Sequence, residues 1–354
     1  MNRPFWKDKR VFLTGHTGFK GSWLSLWLES AGARVTGFAL PPPSEPSLFT
    51  EAAVSDGMRS IEGDVRDLTA VRDALQQSEA EIVLHLAAQS LVRRSYEDPV
   101  ETYATNVIGT AHVLEAVRRT PGVKALVSCT SDKCYENKEW DRGYREDDRL
   151  GGKDPYSNSK ACAELVTDAF RRSYFSGPET EVAVASVRSG NVIGGGDWAR
   201  DRLIPDLVGG FLAGEEVPIR SPDAVRPWQH VLEPLNGYLE LAEHLWEGGR
   251  EYAEAWNFGP EREDARPVRW IAEHLAEIWG DGARWRIDDR PHPPEATYLK
   301  LDSSKARARL GWRPRLDLST ALDWLASWYL EHRQGRDARE LCRRRIEDFE
   351  ARAA

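Results

Sequence analysis

Cysteine is scarce in this 354-residue chain: Cys129, Cys134, Cys162 and Cys342, with no C-x-x-C pair among them. That scatter argues against a disulfide frame or a cysteine zinc site, so no metal is expected, and it reads as the reduced thiols of an intracellular protein. Excess positive charge is absent as well. Lys+Arg number 48 against Asp+Glu 57, a net charge of −9, which gives no electrostatic reason to gather on a phosphate polymer or an anionic bilayer. Neither nucleic acid nor membrane is an expected partner. Nor is there a long apolar run. The opening Met1-Asn2-Arg3-Pro4-Phe5-Trp6 has no apolar core of leader length, and the mean hydropathy is −0.56, so the expected location is cytoplasmic. What is present is an ordinary globular composition, 41% hydrophobic with Gly 28 and Pro 20, enough to bury a proper core. Tryptophan is abundant, at 14 residues. Trp23 and Trp27, like Trp324 and Trp328, stand four apart in helix-like stretches, and packing explains them better than function.

The first half alternates short β-branched runs with helix-length segments. Arg10 to Thr14, Ala33 to Leu40, Glu81 to Leu86, Val123 to Cys129 and Glu181 to Val187 read as strands. They are near-continuous apolar runs, which predicts burial on both faces, as in a parallel sheet between two helix layers. The expected fold is α/β: a Rossmann-type doubly wound parallel sheet over residues 1–190, with a smaller C-terminal substrate-binding lobe over 191–354. A return of the chain from that lobe to the sheet is left open. After Gly194-Gly195-Gly196-Asp197-Trp198 come Pro205, Pro218, Pro222 and Pro227. Helical stretches follow at Leu235 to Trp246, Val268 to Trp279, Asp317 to Arg333 and Asp337 to Ala353. No internal repeat is visible.

Directly after the first strand comes Gly15-His16-Thr17-Gly18-Phe19-Lys20-Gly21, followed by the helix-like Ser22 to Ala31. The first glycine permits a tight turn, the second lets the backbone approach a pyrophosphate, and the third packs helix against strand, while the helix N-terminus offers free N–H groups. The spacing is G-x-x-G-x-x-G, and its place between strand and helix makes a dinucleotide site the natural reading. The acidic residue expected about 20 residues on, to hold the adenosine ribose, is missing: the second strand ends Phe38-Ala39-Leu40-Pro41. The choice between NAD and NADP is therefore weakly determined, and His16 and Lys20 could either meet a 2′-phosphate or be solvated loop charges. Asp64 and Val65, after a third strand, are placed to meet the adenine. Leu86, Ala87 and Ala88 close the strand beside the cofactor, with Gln89 next.

Tyr156-Ser157-Asn158-Ser159-Lys160 opens another helix-like stretch, and i,i+4 spacing puts tyrosine and lysine on one face. A phenol is protonated near neutral pH, and a neighbouring ammonium favours phenolate, so Tyr156 could take the proton of a substrate hydroxyl as hydride leaves its carbon. Upstream, Thr130-Ser131-Asp132-Lys133-Cys134-Tyr135 follows the fifth strand, where ligands sit in parallel sheets. Ser131 would hydrogen-bond the reacting oxygen. Asp132 says more. Oxidation at one carbon needs only Tyr, Lys and Ser, whereas a further carboxylic acid can protonate a departing hydroxyl.

Together with His85-Leu86-Ala87-Ala88-Gln89, Arg188 to Trp198 and Arg226-Pro227-Trp228-Gln229-His230-Val231, these motifs give nearly the whole chain a form that resembles the extended short-chain dehydrogenases acting on nucleotide sugars. Within that family, Ser131-Asp132-Lys133, where Thr-Asp-Glu is commoner, is similar to the 4,6-dehydratases of the CDP-glucose branch. The resemblance implies a nucleotide-sugar substrate with CDP-glucose favoured, NAD as cofactor, and an internal redox cycle. Tyr156 takes the C4 hydroxyl proton as hydride leaves C4, and Asp132 protonates the C6 hydroxyl as water departs. Lys133 acts at C5, either as a neutral base or as the cation that holds the enolate, and the hydride then returns to C6. The family also implies that Gln89 and Ser90 touch the hexose. Asn191, Arg202 with Leu203, and Arg226 approach the diphosphate and nucleoside, and Tyr298 closes over the nucleotide. A homodimer through Pro99 to Arg119 and Pro155 to Tyr174 is the family expectation. A 4-epimerase on the same scaffold needs no acid at C6, so Asp132 argues against it. A cofactor-sensing protein without chemistry is argued against by Ser131, Tyr156 and Lys160 together.

Overall fold

The computed structural model describes residues 1–199, 201–280, 282–288, 290 and 298–352. Seven strands form one parallel sheet: β1 (Arg10–Thr14), β2 (Arg34–Ala39), β3 (Arg59–Glu62), β4 (Ile82–His85), β5 (Ala125–Cys129), β6 (Ala183–Ser189) and β7 (Ala255–Phe258). Their order is β7-β6-β5-β4-β1-β2-β3, so the chain reverses direction across the sheet between β1 and β4, the place where such sheets open a ligand crevice.

The pleat divides the strand residues between two cores. Val11, Leu13, Ile82, Leu84, Ala125 and Val127 face one layer, together with Trp23 and Trp27 of α1 (Phe19–Ser30). Phe12, Val83, Leu126 and Val184 face the other, against α2 (Leu68–Ser78) and α3 (Gly109–Arg119). Both faces are apolar because helices cover both, which is why these strands show continuous apolar runs. The doubly wound α/β fold expected from the sequence is thus the one observed. β3 is the strand with little signal of its own: Arg59, Ser60 and Glu62 are exposed at the sheet edge. β7 brings the chain back to pair with β6 after the excursion beyond residue 191.

The helix that carries Tyr156 and Lys160 is α4 (Pro155–Tyr174), started by Pro155 at its first position and by the Asp154 carboxylate accepting from Ser157 N at 2.9 Å. Beyond β6 follow α5 (Leu203–Ala213), α6 (Leu232–Gly248), α7 (Val268–Trp279), α8 (Leu318–Arg333) and α9 (Ala338–Ala351); Ala353 lies outside the described residues. Small two-stranded sheets join them: Val192–Ile193 with Gln229–His230, Val225–Pro227 with Ala265–Pro267, and Glu216–Ile219 with Arg284–Ile287. The tryptophans pack, as their spacing predicts. Trp23 Nε1 donates to Gly195 O at 3.0 Å, and a Cβ on Gly195 would stand 2.1 Å from the Trp328 ring, so the glycine run lets this turn lie flat on α8. No helix among the described residues is long and apolar enough to cross a membrane.

Candidate active site

The glycine loop folds as its spacing predicts. Gly15 follows β1 with φ +79°, and a Cβ there would lie 2.7 Å from Ala87 N; one on Gly21 would lie 2.1 Å from Gly15 O. Helix and strand can approach this closely only through glycine. Gly18 caps α1, and a Cβ on it would meet nothing nearer than Gly15 O at 3.5 Å. Its outer face is open above the free N–H groups of α1, which start at Phe19. The loop is tied to the strand ends by Leu86 N to Thr14 O at 3.1 Å, Ala87 N to Thr14 Oγ1 at 3.1 Å and Thr17 Oγ1 to Leu40 O at 2.9 Å.

Neither reading of the loop charges holds. His16 is fully buried and its Nε2 lies 2.7 Å from Ser60 Oγ; burial pushes its pKa down to about 4, so it is neutral and turned into the fold. Lys20 points inward as well, donating to Ser189 Oγ at 2.9 Å and Tyr238 OH at 3.4 Å. Asp64 sits beyond β3 and is paired with Arg66, whose Nε donates at 2.8 Å; that bond holds the carboxyl below its usual range. Val65 is buried, and Ala88 lies half-buried beyond β4. The Gln89 side chain is held by protein groups: its amide donates to Thr102 Oγ1 at 2.9 Å and accepts from Leu91 N at 2.6 Å.

After β5, Ser131, Asp132 and Lys133 form a short helical turn, with Ser131 Oγ accepting from Lys133 N at 3.2 Å and donating to Asp132 Oδ1 at 3.0 Å. Tyr156 and Lys160 stand one turn apart at the start of α4, and Lys160 donates to Cys129 O at 3.3 Å. Lys133 Nζ stands 6.0 Å from the centre of the Tyr156 ring. The structure therefore brings Ser131, Asp132, Lys133, Tyr156 and Lys160 together.

The electrostatics of this cluster follow from burial. Asp132 is buried and its Oδ2 has no hydrogen-bond partner among the described residues. Burial raises its pKa, against the pull of Lys133, Ser131, Arg226 and Lys20. Burial likewise pushes the Tyr156 phenol up, with Ser131 and the Arg202 charge drawing it back. Lys160 is lowered, by burial and by Lys20. Burial thus works against the charged form of Asp132, Tyr156 and Lys160 alike.

At the rim, Arg202 Nη2 donates to Ser90 Oγ at 2.9 Å and Nη1 reaches Asp197 Oδ2 at 3.1 Å, so two residues 112 apart meet here. Asp197 is itself held by Tyr329 of α8, whose hydroxyl donates to Asp197 O at 2.7 Å. Leu203 opens α5, and Asn191 accepts Gln229 N at 3.1 Å through its carbonyl. Arg226 is buried in the strand Val225–Pro227. Tyr298 lies alongside, bridging to Val225, with its hydroxyl donating to Asp141 at 2.9 Å. Sequence reasoning missed Tyr238, whose hydroxyl touches Ser189 Oγ at 2.8 Å and Cys129 Sγ at 3.5 Å, and the buried Glu164–Arg188 pair behind the cluster. Glu164 follows Tyr156 and Lys160 at the same four-residue interval on α4, the one signal that could have found it.

The profile of the "NAD dependent epimerase/dehydratase family" matches residues 11–259. A curated relative, the CDP-glucose 4,6-dehydratase of Salmonella typhimurium, is 53% identical over 352 residues, 99% of this chain and 98% of that protein. Among solved structures, MoeE5 in complex with UDP-glucose and NAD superposes with a TM-score of 0.76 at 26% identity, covering 92% of this chain and 99% of that one. A double mutant of DesIV, a dTDP-glucose 4,6-dehydratase from Streptomyces venezuelae solved with NAD bound, shares the fold with a TM-score of 0.77 at 24% identity over 93% and 99%.

Proposed function

The chain belongs to the NAD dependent epimerase/dehydratase family, and on that premise we propose that it is a CDP-glucose 4,6-dehydratase. This is a hydro-lyase turning CDP-D-glucose into CDP-4-dehydro-6-deoxy-D-glucose and water. The 53% identity over 99% of the chain to the Salmonella typhimurium enzyme supports the substrate. The observation that carries the chemistry is the buried Asp132 carboxyl, whose Oδ2 has no partner among the described residues, on the turn whose Lys133 Nζ stands 6.0 Å from the centre of the Tyr156 ring.

The residues present fit a dinucleotide. Gly15 and Gly21 have no room for a Cβ, and Gly18 leaves its outer face open to a pyrophosphate. Cofactor contacts are assigned to Gly15, His16, Thr17, Gly18, Phe19, Lys20 and Gly21, those of His16 and Lys20 through the backbone because their side chains turn inward, with Asp64 and Val65 toward the adenine and Leu86, Ala87, Ala88 and Gln89 beside the sheet end. With His16 neutral and Lys20 turned inward, the loop offers no cation to a 2′-phosphate, which favours NAD over NADP. When bound, NAD supplies an acceptor and then a donor of one hydride, so the reaction needs no outside oxidant.

Tyr156 accepts the C4 hydroxyl proton, with Lys160 supplying positive charge on the same helix face and Ser131 holding the reacting oxygen. The 4-keto group then acidifies C5–H. Lys133, its ammonium over the Tyr156 ring, is the group assigned to C5. Asp132, its pKa raised by burial, gives its proton through Oδ2 to the C6 hydroxyl as water leaves. Gln89 and Ser90 are assigned to the hexose, and Asn191, Arg202, Leu203, Arg226 and Tyr298 to the nucleoside diphosphate. A homodimer is part of this reading: Val100 and Leu165, on the helices expected to pair, are 77% and 58% exposed.

The test is incubation of the purified protein with CDP-glucose, dTDP-glucose and UDP-glucose, scored by mass. Loss of one water, fastest from CDP-glucose, is expected. Interconversion with a galactose epimer without water loss would overturn the dehydratase reading.

A further inference from the structure

Two carbons of one hexose must be served by groups on different elements: Tyr156 on α4 and Asp132 on the turn after β5. Something must fix that separation. Lys160 fastens α4 to the end of β5 through Cys129 O. Four residues on, and on the same helix face, Glu164 reaches the same strand ends. Its carboxylate accepts from Thr130 Oγ1, from Ser186 Oγ at 2.7 Å and from Arg188 Nη2 at 2.8 Å. Thr130 is the residue immediately before Ser131.

Arg188 carries the connection to the other end of that turn. Its Nη1 donates to Tyr135 OH at 2.7 Å and to Glu146 O at 3.1 Å, and Tyr135 OH donates to Asn257 Oδ1 on β7 at 2.8 Å. The acid-bearing turn Ser131–Cys134 is therefore gripped on its N-terminal side through Thr130 and on its C-terminal side through Tyr135, both from one carboxylate–guanidinium pair. That pair is buried on both sides. Burial alone would raise the Glu164 carboxyl, but Arg188 and the bonds from Arg188, Thr130 and Ser186 outweigh it and hold the group ionised. A buried pair whose oxygens are this fully engaged is one that resists rearrangement.

We infer that Glu164 and Arg188 are the positioning residues of this site, clamping both ends of the turn that carries Ser131, Asp132 and Lys133 and so setting the spacing between the Tyr156 phenol and the Asp132 carboxyl. For the step it serves, this rests on the dehydratase reading above; for the clamp itself it does not. Loosening the pair displaces the acid more than the tyrosine, because Tyr156 and Lys160 keep their helix and the Cys129 anchor.

Four variants test it: Glu164→Gln, Thr130→Val, Tyr135→Phe and Thr130→Ser. Without substrate, amide exchange of Cys134 and Tyr135, whose N–H groups close the turn onto Ser131 O and Asp132 O, should accelerate in the first three and stay at the parent rate in Thr130→Ser. With CDP-glucose, water loss should fall about 100-fold in Glu164→Gln, the size of effect that misplacement near 1 Å brings. It should fall about tenfold in Thr130→Val and Tyr135→Phe, the scale of one hydrogen bond. Reduction of the nicotinamide and KM should hold near parent values throughout, and Thr130→Ser should restore water loss. If Glu164→Gln does not fold, the two hydroxyl variants decide. Unchanged exchange in the turn, or oxidation and water loss falling together, overturns the inference. A parent that exchanges as described and releases no water from CDP-glucose overturns the functional reading instead.

Discussion

Gly190 leaves the space into which the free oxygen of Asp132 projects: a Cβ added to Gly190 would stand 3.0 Å from Asp132 Oδ2 and 2.6 Å from the Pro227 ring. The end of β6 and the residue after it thus place Arg188 behind the acid turn, Ser189 on Lys20, and an absence of side chain beside the acid. Gly190→Ala should therefore press on the carboxyl. The expected outcome is a fall in water loss of about tenfold, the scale of one displaced acid contact, with nucleotide-sugar binding little changed. Product formation by mass, set against binding by calorimetry, checks it.

Asp132→Asn retains the shape and removes the transferable proton. Water loss should slow about 100-fold, the usual contribution of a positioned acid, while oxidation at C4, followed as nicotinamide reduction in a single turnover, slows far less. Equal effects on both steps would remove Asp132 from the elimination. Since burial keeps this carboxyl protonated above the ordinary carboxylate range, activity should also fall on the alkaline side where the acid finally ionises.

Lys160 bears on the opposite limb of the pH profile. Burial lifts the Tyr156 phenol above its ordinary value, so the proton must be drawn off by nearby positive charge. Lys160→Met removes one such charge, and the acidic limb of kcat/KM should move to higher pH. Tyr156→Phe should reduce turnover by about 10²–10⁴-fold with nucleotide still bound. An unshifted limb in Lys160→Met would leave the lysine only a packing role.

The sheet was readable wherever helices cover both faces, because double burial demands apolar residues at successive positions. β3 escaped a bounded assignment since Arg59, Ser60 and Glu62 lie at an exposed edge. The fold of the glycine loop and the placing of Tyr156 and Lys160 on one helix were readable because both follow from residue types at fixed local spacing. His16 and Lys20 were not: a loop charge reads as solvated until Ser60, 44 residues on, and Ser189, 169 residues on, are seen to receive them. The same holds for Glu164 with Arg188, and for Arg202 with Ser90, where the partner comes from another element and no period in the sequence announces it.

Glu233 provides a test of stability remote from the chemistry. It lies buried at the start of α6, and one carboxyl oxygen accepts from Arg315 N at 2.9 Å and Leu316 N at 2.8 Å, while the other has no partner among the described residues. Burial pushes its pKa up from 4.5 to about 7. A raised carboxyl favours its neutral form in the fold, so between those two values the native state binds more protons than the unfolded chain. Stability from this group is complete below 4.5 and is lost as pH rises through about 7. Glu233→Gln keeps an oxygen for the two N–H donors and cannot ionise. The variant should match the parent below the lower value and exceed it above the upper one, by on the order of 3 kcal/mol at most. Denaturant unfolding of both proteins across that window measures the difference directly, because every other titrating group is common to the pair. A gap that does not widen with pH would mean that the Glu233 carboxyl is not raised in the fold, the pull of Arg315 and of the two N–H donors matching the cost of burial.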